Sequence, residues 1–169
     1  VLAVDLYGGQ VATDASQARG YMMRVMQARG AGMQNLTAAA DFLRTRGVTK
    51  LGVVGWCFGG GWSLQSALQL GGRVDAAVVY YGQPVTDRAE LQKLRAPLVG
   101  FFGLRDQSIP PDTVRKMEQE LKSLGKTVDI RFYDANHAFA NPSGPSYNPA
   151  AATDAWTRTL DFFSRTLKS

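Results

Sequence analysis

The stretch Lys50-Leu51-Gly52-Val53-Val54-Gly55-Trp56-Cys57-Phe58-Gly59-Gly60-Gly61 decides the fold of this chain. Lys50 to Val54 is short and continuously apolar after its lysine, the pattern of a parallel strand covered on both faces. It runs through a glycine-rich turn into a helix that reaches Leu70 and stops at Gly71-Gly72. A strand followed at once by a helix is one step of an alternating α/β chain. The alternation recurs on both sides. Val1 to Leu6 reads as a strand closed by Gly8-Gly9, and Asp14 is a plausible N-cap for a helix running towards Gly30. Met33 to Arg46 is a second helix, with Leu36, Ala40 and Leu43 on one face and Gly47 as its stop. Downstream, Ala76 to Tyr81, Leu98 to Gly103 and Val128 to Tyr133 are strand-like. Pro110-Pro111-Asp112 opens a charged helix to about Leu124. A Pro-, Gly- and Asn-rich loop from Asn136 to Pro149 leads to a last helix carrying Trp156, Leu160, Phe163 and Leu167. The expected fold is one α/β domain over residues 1–169, a mainly parallel sheet with helices on both faces.

Composition narrows the function. The chain has 169 residues, 45% hydrophobic and 20% charged, which is globular and excludes wholesale disorder. No apolar run approaches the roughly 18 residues of a membrane-spanning helix. One cysteine makes no internal disulfide, and one cysteine with one histidine makes no Cys/His zinc site, so no metal is expected. Nineteen basic against fourteen acidic residues give a net charge of +5. The basic residues are scattered from Arg19 to Lys168, which describes a solvated surface rather than a nucleic-acid face. Gly59-Gly60-Gly61 lacks both the dinucleotide spacing and the lysine of a phosphate loop, so no nucleotide cofactor is expected either. The expected partner is a small molecule, with neither nucleic acid nor membrane, in a cytoplasmic protein. The chain opens at Val1, inside an apolar run, so a further N-terminal segment is expected ahead of it.

Gly55-x-Cys57-x-Gly59 carries the chemistry. A sharp strand-to-helix turn lifts the central side chain to the carboxyl edge of the sheet, and flanking glycines avoid a collision of Cβ with neighbouring backbone. The helix N-terminus beneath Cys57 favours a thiolate. A buried, merely packed cysteine on a tight turn fits the same motif. The partners a nucleophile needs are present in the order nucleophile, acid, base. Asp106 follows the strand Leu98 to Gly103, and His137, the sole histidine, follows the last strand. Singly, Asp106 could cap the Pro110-Pro111 turn and His137 could be an ordinary loop residue. Trp56, Tyr81 and Phe139 are candidates for substrate contact, or for the core. Trp62 and Trp156 are expected in the core.

The runs Asp5-Leu6-Tyr7-Gly8-Gly9, Gly55-Trp56-Cys57-Phe58-Gly59-Gly60, Val79-Tyr80-Tyr81-Gly82 and Asn136-His137-Ala138-Phe139 resemble the dienelactone hydrolase family of the α/β-hydrolase fold. The resemblance covers essentially the whole chain. It implies a Cys57–His137–Asp106 triad that hydrolyses a small ester or lactone through a thioester acyl-enzyme, with the Phe58 N–H as an oxyanion donor. It also implies N-terminal strands that this chain lacks, one of them between Val1–Leu6 and Lys50–Val54, and a second oxyanion donor among them. The family's founding enzymes grip the dienelactone carboxylate with two arginines, at the positions of Gly9 and Asn141 here. Without those guanidinium groups the expected substrate is a small ester or lactone other than dienelactone. A general carboxylesterase or thioesterase with the same triad is the near alternative. A non-catalytic domain with a redox-sensing or structural Cys57 is the distant one.

Overall fold

The structure, a computed structural model, describes residues 1–168. It divides into two compact units, Val1–Thr49 and the chain from Lys50 onward. In the first, helix α1 spans Ala15–Gln27 and α2 spans Arg29–Thr45. Asp14 caps α1 as expected, its carboxylate accepting from the Gln17 N–H. Gly47, at φ +82°, ends the second helical stretch. The break between the helices falls at Ala28, so α2 begins four residues before Met33.

Val1 to Leu6 does not form the expected strand. β-structure is fixed by ladder partners more than by apolar residues, and no strand of the described residues pairs with this run. It ends instead in a local turn, where the Asp5 carboxylate accepts from the Tyr7 and Gly9 N–H groups. Those two bonds, Gly9 foremost, hold the carboxyl below its usual pKa. Gly9 is therefore a turn residue at φ +79°.

The second unit holds a four-stranded sheet, all parallel, in the order β1 (Gly52–Trp56), β2 (Ala76–Tyr80), β3 (Leu98–Gly103) and β4 (Val128–Tyr133). Between them run α3 (Phe58–Gln69), a 3-10 turn at Gly71–Arg73, the short α4 (Arg88–Gln92) and α5 (Pro111–Ser123); α6 (Pro149–Leu167) closes the chain. The central strands β2 and β3 are buried throughout. Their alternating side chains feed two cores. Ala77, Val79, Leu98 and Phe102 pack with Leu64 and Leu68 of α3 and with Val114, Met117 and Leu121 of α5. Ala76, Val78, Tyr80, Val99 and Phe101 face the other way, towards Ala151, Ala155 and Phe162 of α6. Helices thus cover both faces of the sheet, as expected.

Two expectations need correction here. The strand foreseen at Lys50–Val54 lies two residues later and is not covered on both faces, since Val54 and Trp56 are exposed. Leu51 is drawn off by Asp75, whose carboxylate accepts its N–H, and the ladder instead continues through Gly55 and Trp56 against Val79 and Tyr80. On α6 the inner face is Ala151, Ala155, Thr159 and Phe162, which leaves Trp156 46% and Leu160 51% exposed. Thr159 holds that face through a hydroxyl bond to Tyr80 at 2.7 Å. Trp62 does lie in the core, at 7% exposure.

Candidate active site

Parallel strands deliver their carboxyl ends to one edge, and three loops at that edge carry the reactive side chains. Cys57 follows β1 directly and precedes α3. Its φ of +53° is left-handed for a residue with a side chain, the strain expected of a nucleophile elbow. Tight backbone packing enforces the turn. A Cβ on Gly55 would stand 2.0 Å from the Gly59 carbonyl oxygen. A Cβ on Gly60 would stand 2.6 Å from the Tyr80 carbonyl and 2.9 Å from the Gly82 Cα. Gly59, in contrast, has open space. The glycines that close the elbow are therefore Gly55 and Gly60 with Gly82, whereas the sequence motif points to Gly55 and Gly59. The Cys57 N–H donates to the Tyr80 carbonyl at 3.0 Å, which ties the elbow to the end of β2.

His137 brings the other two residues together. Its Nε2 lies 3.1 Å from Cys57 Sγ, and its Nδ1 lies 2.7 Å from Asp106 Oδ2. Asp106 is 3% exposed. Its second oxygen, Oδ1, accepts from the Ser108 and Ile109 N–H groups, each at 2.8 Å. The carboxylate therefore shapes its own loop with one oxygen and orients the imidazole with the other.

The electrostatics follow from this geometry. The His137 hydrogen bond, above all, lowers the Cys57 pKa, and burial opposes it; the Phe58 N–H adds to the lowering by donating to the sulfur. Reciprocally, the Cys57 bond raises His137 most, against its burial, and Asp106 adds to the rise, to about 9. The contact therefore favours the ionised form of both groups.

The aromatic residues expected near substrate occupy different settings. Phe139 is fully enclosed and Tyr81 is 2% exposed; their rings meet at 5.2 Å. Trp56 is 40% exposed, stacks on Tyr80 at 5.2 Å and approaches Trp156 at 6.4 Å. It lines a cavity of about 340 Å³ with Ala140, Pro142, Tyr147 and Trp156. Phe58 is half-buried, its ring edge-on to Trp62 at 6.1 Å. Asn141 stands in a turn, its side-chain Oδ1 accepting from the Ser143 N–H. Arg105, the nearest guanidinium in sequence to Asp106, is paired with Asp134 at 2.7 Å. Among the described residues no group of three or more His, Cys, Asp or Glu is placed to hold a metal, and no helix is long and apolar enough to cross a membrane.

Sequence reasoning did not reach the Ser108 and Ile109 amides, the Gly60–Gly82 contact, or the way Tyr81 abuts His137. Only the first carried a signal, since an aspartate two residues before Ser108 is the opening of an Asx turn.

Comparison with known proteins agrees with this architecture. The model of the dienelactone hydrolase family matches residues 1–167. A protein of Methylorubrum extorquens, provisionally named a carboxymethylenebutenolidase, is 35% identical over 144 residues, which is 78% of this chain and 49% of its own length. A Saccharolobus solfataricus protein with the same provisional name is 33% identical over 134 residues, 77% of this chain and 50% of its own. The chain spans about half the length of these curated relatives. Among solved structures, a provisionally identified dienelactone hydrolase from Klebsiella pneumoniae aligns at TM-score 0.71 and 31% identity, covering 80% of this chain and 60% of that one. A dienelactone hydrolase-like promiscuous phosphotriesterase from metagenomic libraries aligns at TM-score 0.83 over 97% of this chain and 73% of its own; at 22% identity the likeness is one of fold.

Proposed function

Because this chain belongs to the dienelactone hydrolase family, we propose that it acts, as one α/β-hydrolase domain, on a small ester or lactone through a Cys57–His137–Asp106 triad. The observation that carries the reading is the continuous line of contacts from Sγ through both imidazole nitrogens to a buried carboxylate. The Cys57 proton passes to His137 Nε2, and the thiolate attacks the substrate carbonyl carbon. The oxyanion forms beside the Phe58 N–H at the start of α3. As the tetrahedral intermediate collapses, the alkoxide leaves with the proton from His137, and a thioester remains on Cys57.

Acylation also resets the base. The Cys57 interaction is the largest cause of the raised His137 pKa, and it disappears once the sulfur is esterified. His137 then falls back towards its ordinary range, where a neutral imidazole deprotonates water for attack on the thioester. Acid and free thiol are the products, and one residue has served as acid and then base at a single pH.

Trp56 and its cavity are assigned to the apolar part of the substrate, for which an exposed indole beside the nucleophile is suited. Tyr81 and Phe139 have almost no open surface to offer it. The test of the function is hydrolysis of an activated acetate ester; folded protein that gives no turnover contradicts it.

The triad geometry sets two further results. Asp106→Asn keeps an acceptor for the loop amides but loses the charge behind the imidazolium. Turnover is expected to fall steeply yet to remain measurable, above that of a Cys57 variant, in steady-state assays. The pH dependence separates two processes. Thiolate is lost only as pH falls through the lowered Cys57 pKa, so below the ordinary thiol range alkylation by iodoacetamide should be faster than in His137→Asn, whose thiol reverts towards about 8.5. At high pH alkylation should keep its plateau, because deprotonating His137 leaves the thiolate in place. Ester hydrolysis should decline through about 9, as the imidazolium that protonates the leaving group is lost.

A further inference from the structure

Tyr81 sits in a conformation that side chains avoid. Its φ is +36°, in the left-handed region where a Cβ is crowded and a glycine would sit freely. A strained residue persists where its surroundings over-determine it, and those surroundings are the reactive pair. The Tyr81 ring stands edge-on to His137, centroids 5.1 Å apart at 64°, and meets the ring of Phe139, two residues further along that loop, at 5.2 Å. Its own N–H donates to the Phe101 carbonyl at 2.8 Å, anchoring it to β3. The preceding carbonyl, of Tyr80, receives the Cys57 N–H. One dipeptide therefore touches the nucleophile's backbone on one side and the base and its loop on the other.

The contact supplies what the triad's hydrogen bonds do not. Bonds at Nδ1 and Nε2 lie in the imidazole plane at opposite ends, so the ring can still rock about the line joining them. A ring packed against it at a steep angle stops that motion. The loop needs a hold as well, because Ala138, next after His137, is itself left-handed at φ +61°. The Tyr81 ring grips it at the next residue, the buried Phe139.

We propose that Tyr81 is the positioning residue of this site: its ring sets the plane of the His137 imidazole and packs on Phe139 of the loop that carries it, which keeps the Cys57–His137 pair in register. At 2% exposure it does so without being a substrate contact. The inference rests on the reading of Cys57 and His137 as the reacting pair. The ionisable groups facing that pair are Asp106, at His137 Nδ1, and Tyr81 itself, with Tyr80 behind it. Burial pushes the Tyr81 hydroxyl up to about 12, so it remains neutral throughout the working range.

The experiment follows iodoacetamide alkylation of Cys57 against pH in Tyr81→Phe and Tyr81→Leu, with kcat and KM for an activated ester measured alongside. Alkylation reads the ion pair whether or not an ester turns over. Wild-type protein with an acid-shifted thiol but no turnover would therefore sink the hydrolase reading while still judging Tyr81. Tyr81→Phe keeps the ring and should keep the acid limb within about a factor of two of wild type. Tyr81→Leu loses the ring; on the acid limb its alkylation should slow about tenfold, one unit of displacement, with kcat reduced and KM little changed. A residue that only packs would lower the melting temperature and leave the acid limb in place. An acid limb at the wild-type position in folded Tyr81→Leu, or an equal displacement in Tyr81→Phe, overturns the proposal. If Tyr81→Leu does not fold, Tyr81→Met is read in the same way.

Discussion

Cys57→Ala is expected to abolish hydrolysis of an activated acetate ester, a loss on the order of 10⁴-fold or more in kcat/KM, while the protein keeps its fold. The two halves of that result come from different parts of the structure. On that reading the activity depends on the sulfur, which stands 3.1 Å from His137 Nε2, while the other ring nitrogen is committed to Asp106. What survives is the residual polarisation of the carbonyl by the Phe58 amide. The stability change is small because Cys57 is exposed, and a truncation at such a position alters stability by about 0.5 kcal/mol. Circular dichroism and a melting curve beside the assay distinguish a lost nucleophile from a lost fold.

Gly55→Ala has the opposite character, a fold defect that takes activity with it. The new Cβ would lie 2.0 Å from the Gly59 carbonyl oxygen, 2.3 Å from its carbon and 2.8 Å from the Gly60 nitrogen. All three are backbone atoms of the first turn of α3, so no rotamer change relieves the clash. The helix must retreat from β1, which costs about 3 kcal/mol. For a chain of this length that lowers the melting temperature by roughly 6–12 °C. The retreat also carries Cys57 away from His137, and turnover should fall by at least about 10²-fold, the loss attached to an ångström-scale misplacement. Gly59→Ala is the control. It adds a methyl group where nothing lies within 4 Å, on a helix that favours alanine over glycine by about 0.5–1 kcal/mol. Its melting temperature should hold or rise. Equal damage from both substitutions would refute the close-packed elbow.

How much of this was legible in the sequence depended on whether a residue's neighbours were local. Leu98–Gly103 and Val128–Tyr133 read correctly end to end, because strands flanked by turn residues carry their own boundaries. The meeting of Cys57, Asp106 and His137 was legible as well, since each follows a strand and the chain has one histidine and one cysteine. Val1–Leu6 looked equally strand-like, but a ladder is made by partners, and apolar residues alone do not supply them. Trp156 and Leu160 misled because bulk suggests core, whereas α6 presents its small residues, Ala151, Ala155 and Thr159, to the sheet. The short α4 left a trace that went unread: Asp87 accepts from the Glu90 N–H, half of a capping box. Gly60 and Tyr81 were beyond any reading of the chain in order. The first is demanded by Gly82, twenty-two residues away, and the second by a histidine fifty-six residues away.

The claim on which the account stands is that the ester's acyl group passes through the Cys57 sulfur, and the most direct test is to catch it there. The protein is mixed with an activated acetate ester, quenched in acid during turnover, digested, and its peptides are weighed by mass spectrometry. The account predicts one acetyl group on the peptide containing Cys57, released by hydroxylamine and missing from Cys57→Ala. Turnover with no acyl group on that peptide, or undiminished turnover in Cys57→Ala, would contradict it.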